Sequence, residues 1–221
     1  SALGGGGVAI GLLSGLRKGL EGISKIFGGW ISDRIGKRKP LIFLGYFLSS
    51  IFKFFMALAN SWQQIVLALS FERTGKLRDA PRDALIADSV KKNIKGREFG
   101  ILQMMDTFGG VFGAIIVLFL FWKLSMNFKA IIVIAAMIAS LSLLPLFFVK
   151  DKKSKKIKRG IFEEIHLLPK KLKYFIFVAG IFALADFGLF MFMILRAEEI
   201  SGSKIIAILL FILFDVFYAL F

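Results

Sequence analysis

The chain has 221 residues, of which 57% are hydrophobic and 26 are phenylalanine. This apolar share is well above that of soluble domains and excludes a water-soluble enzyme. Lysine and arginine outnumber aspartate and glutamate by 30 to 15, which gives a net charge of +15. With no cysteine and one histidine, disulfides, thiolate chemistry and a multi-histidine metal site are excluded within this chain, and we expect neither a metal nor a cofactor.

Seven apolar stretches are long enough to cross a membrane as helices, since about 20 apolar residues span a hydrocarbon core of about 30 Å. Their approximate limits are 8–31, 40–59, 63–83, 98–121, 129–149, 174–195 and 204–221. They are longer than the strands of a membrane barrel and lack strict alternation of apolar and polar residues. We therefore predict an all-α polytopic membrane protein with seven transmembrane segments.

Lysine and arginine are distributed unevenly over the connections between these stretches. The connections on one side, at 33–40, 91–97 and 150–173, hold 4, 4 and 10 lysine and arginine residues. The segments on the other side, at 1–7, 60–64, 122–129 and 196–204, hold 0, 0, 2 and 2 such residues. Because basic loops stay in the cytoplasm, we expect the N-terminus outside. Topology then explains the positive charge, and no nucleic-acid partner is expected.

The first basic connection carries the most specific local pattern in the chain. It reads GWISDRIGKRK from residue 29 to 39 and fits GxxxDRxGxRK at every fixed position: Gly29, Asp33, Arg34, Gly36, Arg38 and Lys39. A glycine at 29 lets a neighbouring helix approach closely, and one at 36 permits the positive φ of a tight turn. A topogenic basic loop explains the cations but not this spacing of glycine and aspartate.

This loop resembles the signature motif of the major facilitator superfamily, whose transporters have twelve helices in two six-helix halves. The motif follows the second family helix, so the resemblance assigns family helices 2 to 6 to residues 1–149. A basic cytoplasmic linker then occupies 150–173, and helices 7 and 8 begin the second bundle at 174–221. Helix 1, part of helix 8 and helices 9 to 12 would lie outside the chain, which we interpret as a fragment. The resemblance also implies that Asp33 biases the resting transporter toward an outside-open state.

A second stretch, FERTGKLRDAPRDALIADS from Phe71 and KGREFG ending at Gly100, is similar to the fourth helix and following loop of prokaryotic members of this family. The family spaces its arginine and glycine by four residues, whereas Arg73 and Gly75 are two apart. Pro81 is expected to kink the helix near its cytoplasmic end.

Charged residues inside the spans point to a function, because such groups are costly in a membrane and usually face a cavity or a partner. In the first span Arg17, Lys18, Glu21 and Lys25 fall within an arc of about 100° on a helical wheel, and Arg17 and Glu21 are spaced to pair. We expect a cavity or substrate site lined by Arg17, Lys18, Glu21, Lys53, Glu72 and Arg73. A salt-bridged packing seam is the alternative.

Isolated acids in apolar helices are candidates for proton coupling, since burial favours the protonated form of a carboxyl. The candidates are Glu21, Asp106, Asp186 and Asp215. Each could instead hydrogen-bond a neighbouring helix, and Lys53 could pair with one of the aspartates or attract an anionic substrate.

A cluster near the cytoplasmic end of the third span is expected to form a gate of ion pairs that open and close during alternating access. Its members are Arg78, Asp79, Arg82, Asp83 and Asp88. A static interfacial network is an equal alternative.

The resemblance implies a secondary active transporter in the cytoplasmic membrane of a prokaryote, monomeric when full length. We expect proton-coupled efflux or uptake of a small solute, with multidrug efflux among the activities, and with protons and membrane lipid as partners. One alternative is a uniporter or anion exchanger that uses Arg17, Lys18 and Arg73. Another is a protein of this fold that acts as a receptor or scaffold. Neither GxxxxGK[ST] nor GxGxxG occurs in the chain, which argues against a nucleotide-driven pump.

Overall fold

The computed structural model describes residues 6–151, 160, 163, 166–184 and 189–220. Within these ranges the chain forms α-helices joined by turns and short 3₁₀ segments, without a β-strand. The prediction of an all-α chain is confirmed. Asp186 lies outside the described residues, as does most of the predicted linker.

The first two helices meet at the signature loop. Helix α1 covers Gly6–Ile35 and helix α2 covers Lys39–Leu58. Gly36 ends α1 with a φ of 72°, and its N–H donates to the Ser32 carbonyl at 2.8 Å. This left-handed conformation favours glycine. Pro40 lies in the first turn of α2, where its missing N–H leaves no helical hydrogen bond unmade.

The predicted third span is divided into two helices. Helix α3 covers Trp62–Thr74, a 3₁₀ turn covers Gly75–Arg78, and helix α4 covers Asp79–Ser89. Pro81 has no N–H to donate to the carbonyl four residues earlier, at Leu77, so regular α geometry cannot run through this point. The expected departure from α geometry occurs, but it begins at Gly75 and leaves Pro81 in the first turn of α4.

The next helices follow the predicted spans closely. A 3₁₀ turn at Lys92–Ile94 leads into helix α5, Lys95–Trp122. Helix α6 covers Phe128–Leu141, and the short helix α7 covers Leu144–Phe148. The Asn127 side chain caps α6 by accepting a hydrogen bond from the Ala130 N–H at 2.8 Å.

The C-terminal part of the chain contains helices α8, Lys170–Leu184, α9, Leu189–Ser201, and α10, Lys204–Leu220. Helix α8 begins inside the segment predicted as linker, because lysine and leucine at 170–173 favour a helix and Pro169 precedes its first turn, although these residues are mostly basic. Gly202, with a φ of 64°, forms the turn between α9 and α10.

Three helical stretches of the described chain are long and apolar enough to cross a membrane: Lys39–Leu58, Lys95–Trp122 and Phe128–Phe148. Helix α1 is longer still but carries charged residues along its length. Large apolar side chains lie on the outside of the bundle, among them Phe112, Phe119 and Phe148. These exposed apolar side chains indicate that the outer surface of the bundle faces lipid.

Small residues occupy the interior, where helices approach closely. Helix α1 packs against α3, the 3₁₀ turn and α4, and helix α2 packs against α3 and α6. A Cβ at Gly28 would overlap the backbone of Leu77. A Cβ at Gly45 would lie 2.5 Å from the Gly75 carbonyl oxygen, so the crossing of α2 over the 3₁₀ turn needs glycine at both positions. Helix α5 contacts α10, and α1 contacts α9.

The Gly28→Ala variant is predicted to lower the apparent Tm in detergent, because the new methyl group collides with backbone that cannot rotate away. Overpacking of this kind costs about 1–3 kcal/mol. Gly22→Ala is the matched control in the same helix, since no atom lies within 4 Å of its Cβ position. That variant should keep or raise the Tm, because alanine favours helix over glycine by about 1 kcal/mol. Equal shifts for both variants would contradict the close crossing.

Candidate functional site

The signature loop is held by one buried arginine. Arg38 is 6% exposed, and its Nη1 donates to Asp88 Oδ2 of α4. The Arg38 N–H donates to Asp151 Oδ1 at 3.2 Å, and Arg38 Nη2 lies 3.8 Å from Asp33 Oδ1. The guanidinium of Arg38 thus contacts carboxylates at the ends of α1 and α4, and its backbone N–H contacts a third carboxylate in the segment after α7. We call this end of the bundle, with residues 36–38, 88 and 151, the signature end.

The other residues of the motif also make contacts at the signature end. Lys39 Nζ donates to the Phe147 carbonyl at 3.1 Å, which attaches the start of α2 to α7. The Arg34 guanidinium lies 5.1 Å from the centre of the Trp30 ring. A Cβ at Gly29 would come within 3.3 Å of the Ala80 Cβ, so this glycine brings α1 close to α4.

A second group of charges lies deeper in the bundle. Glu21 precedes the end of α1 by 14 residues, which corresponds to about 21 Å along the helix axis. Lys53 Nζ of α2 contacts Glu72 Oε1 of α3 at 3.0 Å. Arg73 Nε is 3.2 Å from Glu72 Oε2, and Arg73 Nη1 is 3.9 Å from Glu21 Oε2. These contacts join α2 to α1 through α3.

The same series of ion pairs continues toward the signature end. Glu21 Oε1 accepts a hydrogen bond from Lys25 Nζ at 2.7 Å. Asp79 Oδ2 lies 3.6 Å from Lys25 Nζ and 3.5 Å from Lys76 Nζ. Asp79 Oδ1 lies 3.8 Å from Arg78 Nε. We call the eight connected residues the ion-pair chain: Lys53, Glu72, Arg73, Glu21, Lys25, Asp79, Lys76 and Arg78.

Arg78 connects the ion-pair chain to α2. Its Nη1 donates to Ser49 Oγ at 2.8 Å and to the Gly75 carbonyl at 2.9 Å. The guanidinium also lies 4.4 Å from the centre of the Tyr46 ring, a cation–π distance. Arg78 thereby fixes the 3₁₀ turn against α2.

A further arginine lies between α4 and α5. Arg82 Nη1 is 3.3 Å from Asp106 Oδ2, and Arg82 Nε donates to Asp83 Oδ1 at 3.2 Å. The side chains of both aspartates are about half exposed, at 44% for Asp83 and 51% for Asp106. They face the same open space as part of the ion-pair chain.

That space is a cavity of about 660 Å³ between α1, the 3₁₀ turn, α4 and α5. We call it the charged cavity. It is lined by four acidic residues, four basic residues and five others: Glu21, Asp79, Asp83, Asp106, Lys25, Lys76, Arg78, Arg82, Tyr46, Ala80, Gln103, Thr107 and Gly110. Its size fits a small solute.

The residues predicted to line one site are thus divided between two places. Glu21 lines the charged cavity, whereas Lys53, Glu72 and Arg73 form the part of the ion-pair chain beyond its lining. Arg17 is half-buried and Lys18 is exposed on α1. Glu21 pairs with Lys25, one turn toward the signature end, rather than with Arg17, one turn in the other direction, and Lys25 also contacts Asp79. Lys53 pairs with Glu72 and not with Asp106, since α2 and α3 are neighbours.

The residues predicted as a gate are divided as well. Arg78, Asp79, Arg82 and Asp83 line the charged cavity, whereas Asp88 pairs with Arg38 at the signature end. Asp106 pairs with Arg82. The backbone of Asp215 lies in α10, but its side chain, like the whole of Asp186, is outside the described residues.

Lys25, Lys76, Gln103 and Thr107 line the charged cavity but were not singled out from the sequence as site residues. Lys25 shares the polar stripe of Glu21, and Lys76 is spaced to pair with Asp79. Gln103 and Thr107 are four residues apart and lie on one face of α5 together with Asp106. Helical spacing around the acidic residues would have identified Lys25, Gln103 and Thr107, whereas Lys76 lies in the 3₁₀ turn.

Comparison with known proteins places the sequence in a family. The sequence model of the Major Facilitator Superfamily matches residues 1–221. The uncharacterized MFS-type transporter MJ1317 of Methanocaldococcus jannaschii is 43% identical over 229 residues, which cover 100% of this chain and 57% of that protein.

Two bacterial relatives are similar at a lower level. Multidrug resistance protein MdtH of Proteus mirabilis is 32% identical over 208 residues, and that of Photorhabdus laumondii is 30% identical over 211. Each alignment covers 91% of this chain and 50% of the relative. The chain therefore spans about half the length of the curated relatives it matches.

The pair between Lys53 and Glu72 yields a stability prediction. Lys53→Met leaves the buried Glu72 carboxylate with Arg73 alone, and we expect the apparent free energy of unfolding to fall by about 1–3 kcal/mol, the usual cost of a buried polar group without its partner. Adding Glu72→Gln should restore part of the loss in a double-mutant cycle. Lys129→Met, which removes an exposed hydrogen bond to Asn60, is the control and should change stability little. A strictly additive cycle would contradict the pairing.

Proposed function

Since the chain belongs to the major facilitator superfamily, we propose that it forms the substrate-binding core of a secondary transporter, which moves a small solute across the cytoplasmic membrane by alternating access. The charged cavity is the observation that carries this proposal. It brings eight charged side chains together inside a helical bundle whose outer surface is apolar.

Energetic cost supports a transport role. Charged groups within a membrane protein are expensive to insert, and they are generally retained where they line a pathway or pair with one another. A receptor or scaffold of the same fold has no need for half-exposed carboxylates such as Asp83 and Asp106 in an interior cavity. A solute pathway does need polar groups that remain accessible.

Proton coupling is the proposed source of energy. Glu21 Oε1 accepts a hydrogen bond from Lys25, and a proton on this carboxyl would compete with that lysine for the same oxygen. Protonation of Glu21 and its hydrogen bond with Lys25 therefore exclude each other. A proton-coupling group needs this property, because its protonation must favour one of two conformations over the other. Asp106, held by Arg82, has the same relation to its partner. Asp186 and Asp215 are proposed as further candidates.

We further propose that the signature end faces the cytoplasm and acts as a gate. Arg38 connects α1, α4 and the segment after α7 through Asp33, Asp88 and Asp151. Helices joined in this way move together, and breaking these contacts would separate them at the cytoplasmic end. The proposed role of Asp33 in favouring an outside-open state is consistent with contacts that hold the cytoplasmic end closed.

Efflux is the proposed direction. Two of the relatives are named multidrug resistance proteins, which favours export over uptake. A uniporter or anion exchanger remains the second candidate, favoured by the cations of the ion-pair chain, and it differs from the first in having no dependence on a proton gradient.

A flux measurement separates these candidates. We expect proteoliposomes containing the full-length transporter to accumulate ethidium or radiolabelled succinate when a proton gradient is imposed. Glu21→Gln should abolish gradient-driven accumulation but retain exchange of the same solute without a gradient, because binding persists while coupling is lost. Asp106→Asn, Asp186→Asn and Asp215→Asn complete the series.

Glu199→Gln is the matched control, since Glu199 forms an exposed pair with Arg196 after the middle of α9. It should transport as the unmodified protein does. Gradient-driven flux that persists in all four variants of the series would contradict proton coupling, and flux that is independent of any gradient would favour the uniporter or exchanger.

A further inference from the structure

The basic residues around Asp79 are incompletely satisfied by the protein. Lys25, Lys76 and Arg78 surround this one carboxylate at 3.6, 3.5 and 3.8 Å. Ionised hydrogen bonds between nitrogen and oxygen are normally about 2.7–2.9 Å long. Asp79 therefore holds three cations nearby without forming a short hydrogen bond to any of them.

Lys76 is the member of this group that is best placed for a ligand. Its side chain is 27% exposed and lines the charged cavity from the 3₁₀ turn. An ammonium group has three N–H donors, yet within the described residues its one ionic contact is the long approach to Asp79. Lys25, by contrast, already donates to Glu21 at 2.7 Å.

Buried atoms of the same group also lack hydrogen bonds. Among the described residues, Asp79 Oδ1 and Arg78 Nε are buried without a hydrogen-bond partner. Such atoms are rare in folded proteins because each costs free energy. The acidic and the basic members of this group are thus both incompletely paired. This indicates a site where charge is positioned for a partner that the chain itself does not supply.

The charge of the cavity is balanced in number but divided in space. Around Asp79 the three cations face two carboxylates, Asp79 and Glu21, whereas around Arg82 two carboxylates share one cation. An anionic group would be attracted to the first of these places, and repelled by the second.

We propose that the charged cavity binds the anionic group of its solute, a carboxylate or a phosphate, through Lys76 with support from Lys25. This inference rests on the proposed transport function and names the chemical class that the site recognises. The anion supplies the acceptors that Lys76 lacks, while Asp79 keeps the cations close enough to share it. A lipophilic cation finds no such complement at this place.

Binding can be measured without transport. The apparent Tm of the full-length protein in detergent is recorded against increasing succinate, inorganic phosphate and tetraphenylphosphonium. We expect succinate, phosphate or both to raise the Tm, since a ligand that binds the folded state stabilises it, and tetraphenylphosphonium to leave it unchanged. The separate succinate and phosphate titrations distinguish a carboxylate site from a phosphate site.

Variants test the assignment to Lys76. Lys76→Gln should weaken anion binding about ten- to hundredfold, the loss expected for one charge-assisted hydrogen bond. Lys76→Arg keeps the charge and should retain most of the affinity. Lys123→Gln is the control, because it changes an exposed lysine at the C-terminal end of α5. It should bind the anion as the unmodified protein does.

The inference is overturned if neither anion raises the Tm, if tetraphenylphosphonium does so instead, or if Lys76→Gln binds the anion unchanged. Flux assays test the proposed transport function separately from anion binding. Anion binding without flux would keep the site and contradict transport. Flux of ethidium that Lys76→Gln leaves unchanged, without anion binding, would keep transport and contradict the anionic site.

Discussion

The structure depends on one constraint, which is that charged side chains inside an apolar bundle must find partners on neighbouring helices. The ion-pair chain meets this constraint by joining α1, α2, α3, the 3₁₀ turn and α4 through eight residues. Its deepest carboxylate, Glu72, is 5% exposed and lies between Lys53 and Arg73. Removing one partner from such a group leaves an uncompensated buried charge, which is strongly destabilising. The ion-pair chain therefore determines which helices stay together.

Close approach of the backbones makes this pairing possible. Gly28, Gly45 and Gly75 let α1 and α2 contact the 3₁₀ turn directly, and the turn itself exists because Pro81 interrupts the helical hydrogen bonds. As a result Lys76 and Arg78 leave the regular face of a helix and reach the cavity and α2, respectively. Sterics of glycine and proline thus position the charges on which the proposed function rests.

Much of the fold follows from local sequence signals. Apolar length predicted the helices, and Gly36, Pro40 and Asn127 mark ends that the structure places where local chemistry requires them. The glycine–aspartate spacing of the signature loop indicated the family. The partners in the ion pairs were not predictable in this way. Arg73 meets Glu21, and Arg38 meets Asp88, although each pair is about 50 residues apart in sequence, and only helix packing brings them together. Lys76 was missed for a related reason, since its direction depends on the 3₁₀ turn and not on α-helical spacing.

Accessibility of the charged cavity tests the central claim that this charged interior is a solute pathway. The chain has no cysteine, so Thr107→Cys introduces a single thiol into the cavity lining, and Met105→Cys places one on the opposite side of α5. A membrane-impermeant thiol reagent is applied to full-length protein in sealed vesicles, from either side in turn. Alternating access predicts that Thr107→Cys reacts from both sides and much faster than Met105→Cys. Reaction from one side alone, or at the rate of Met105→Cys, would contradict the account.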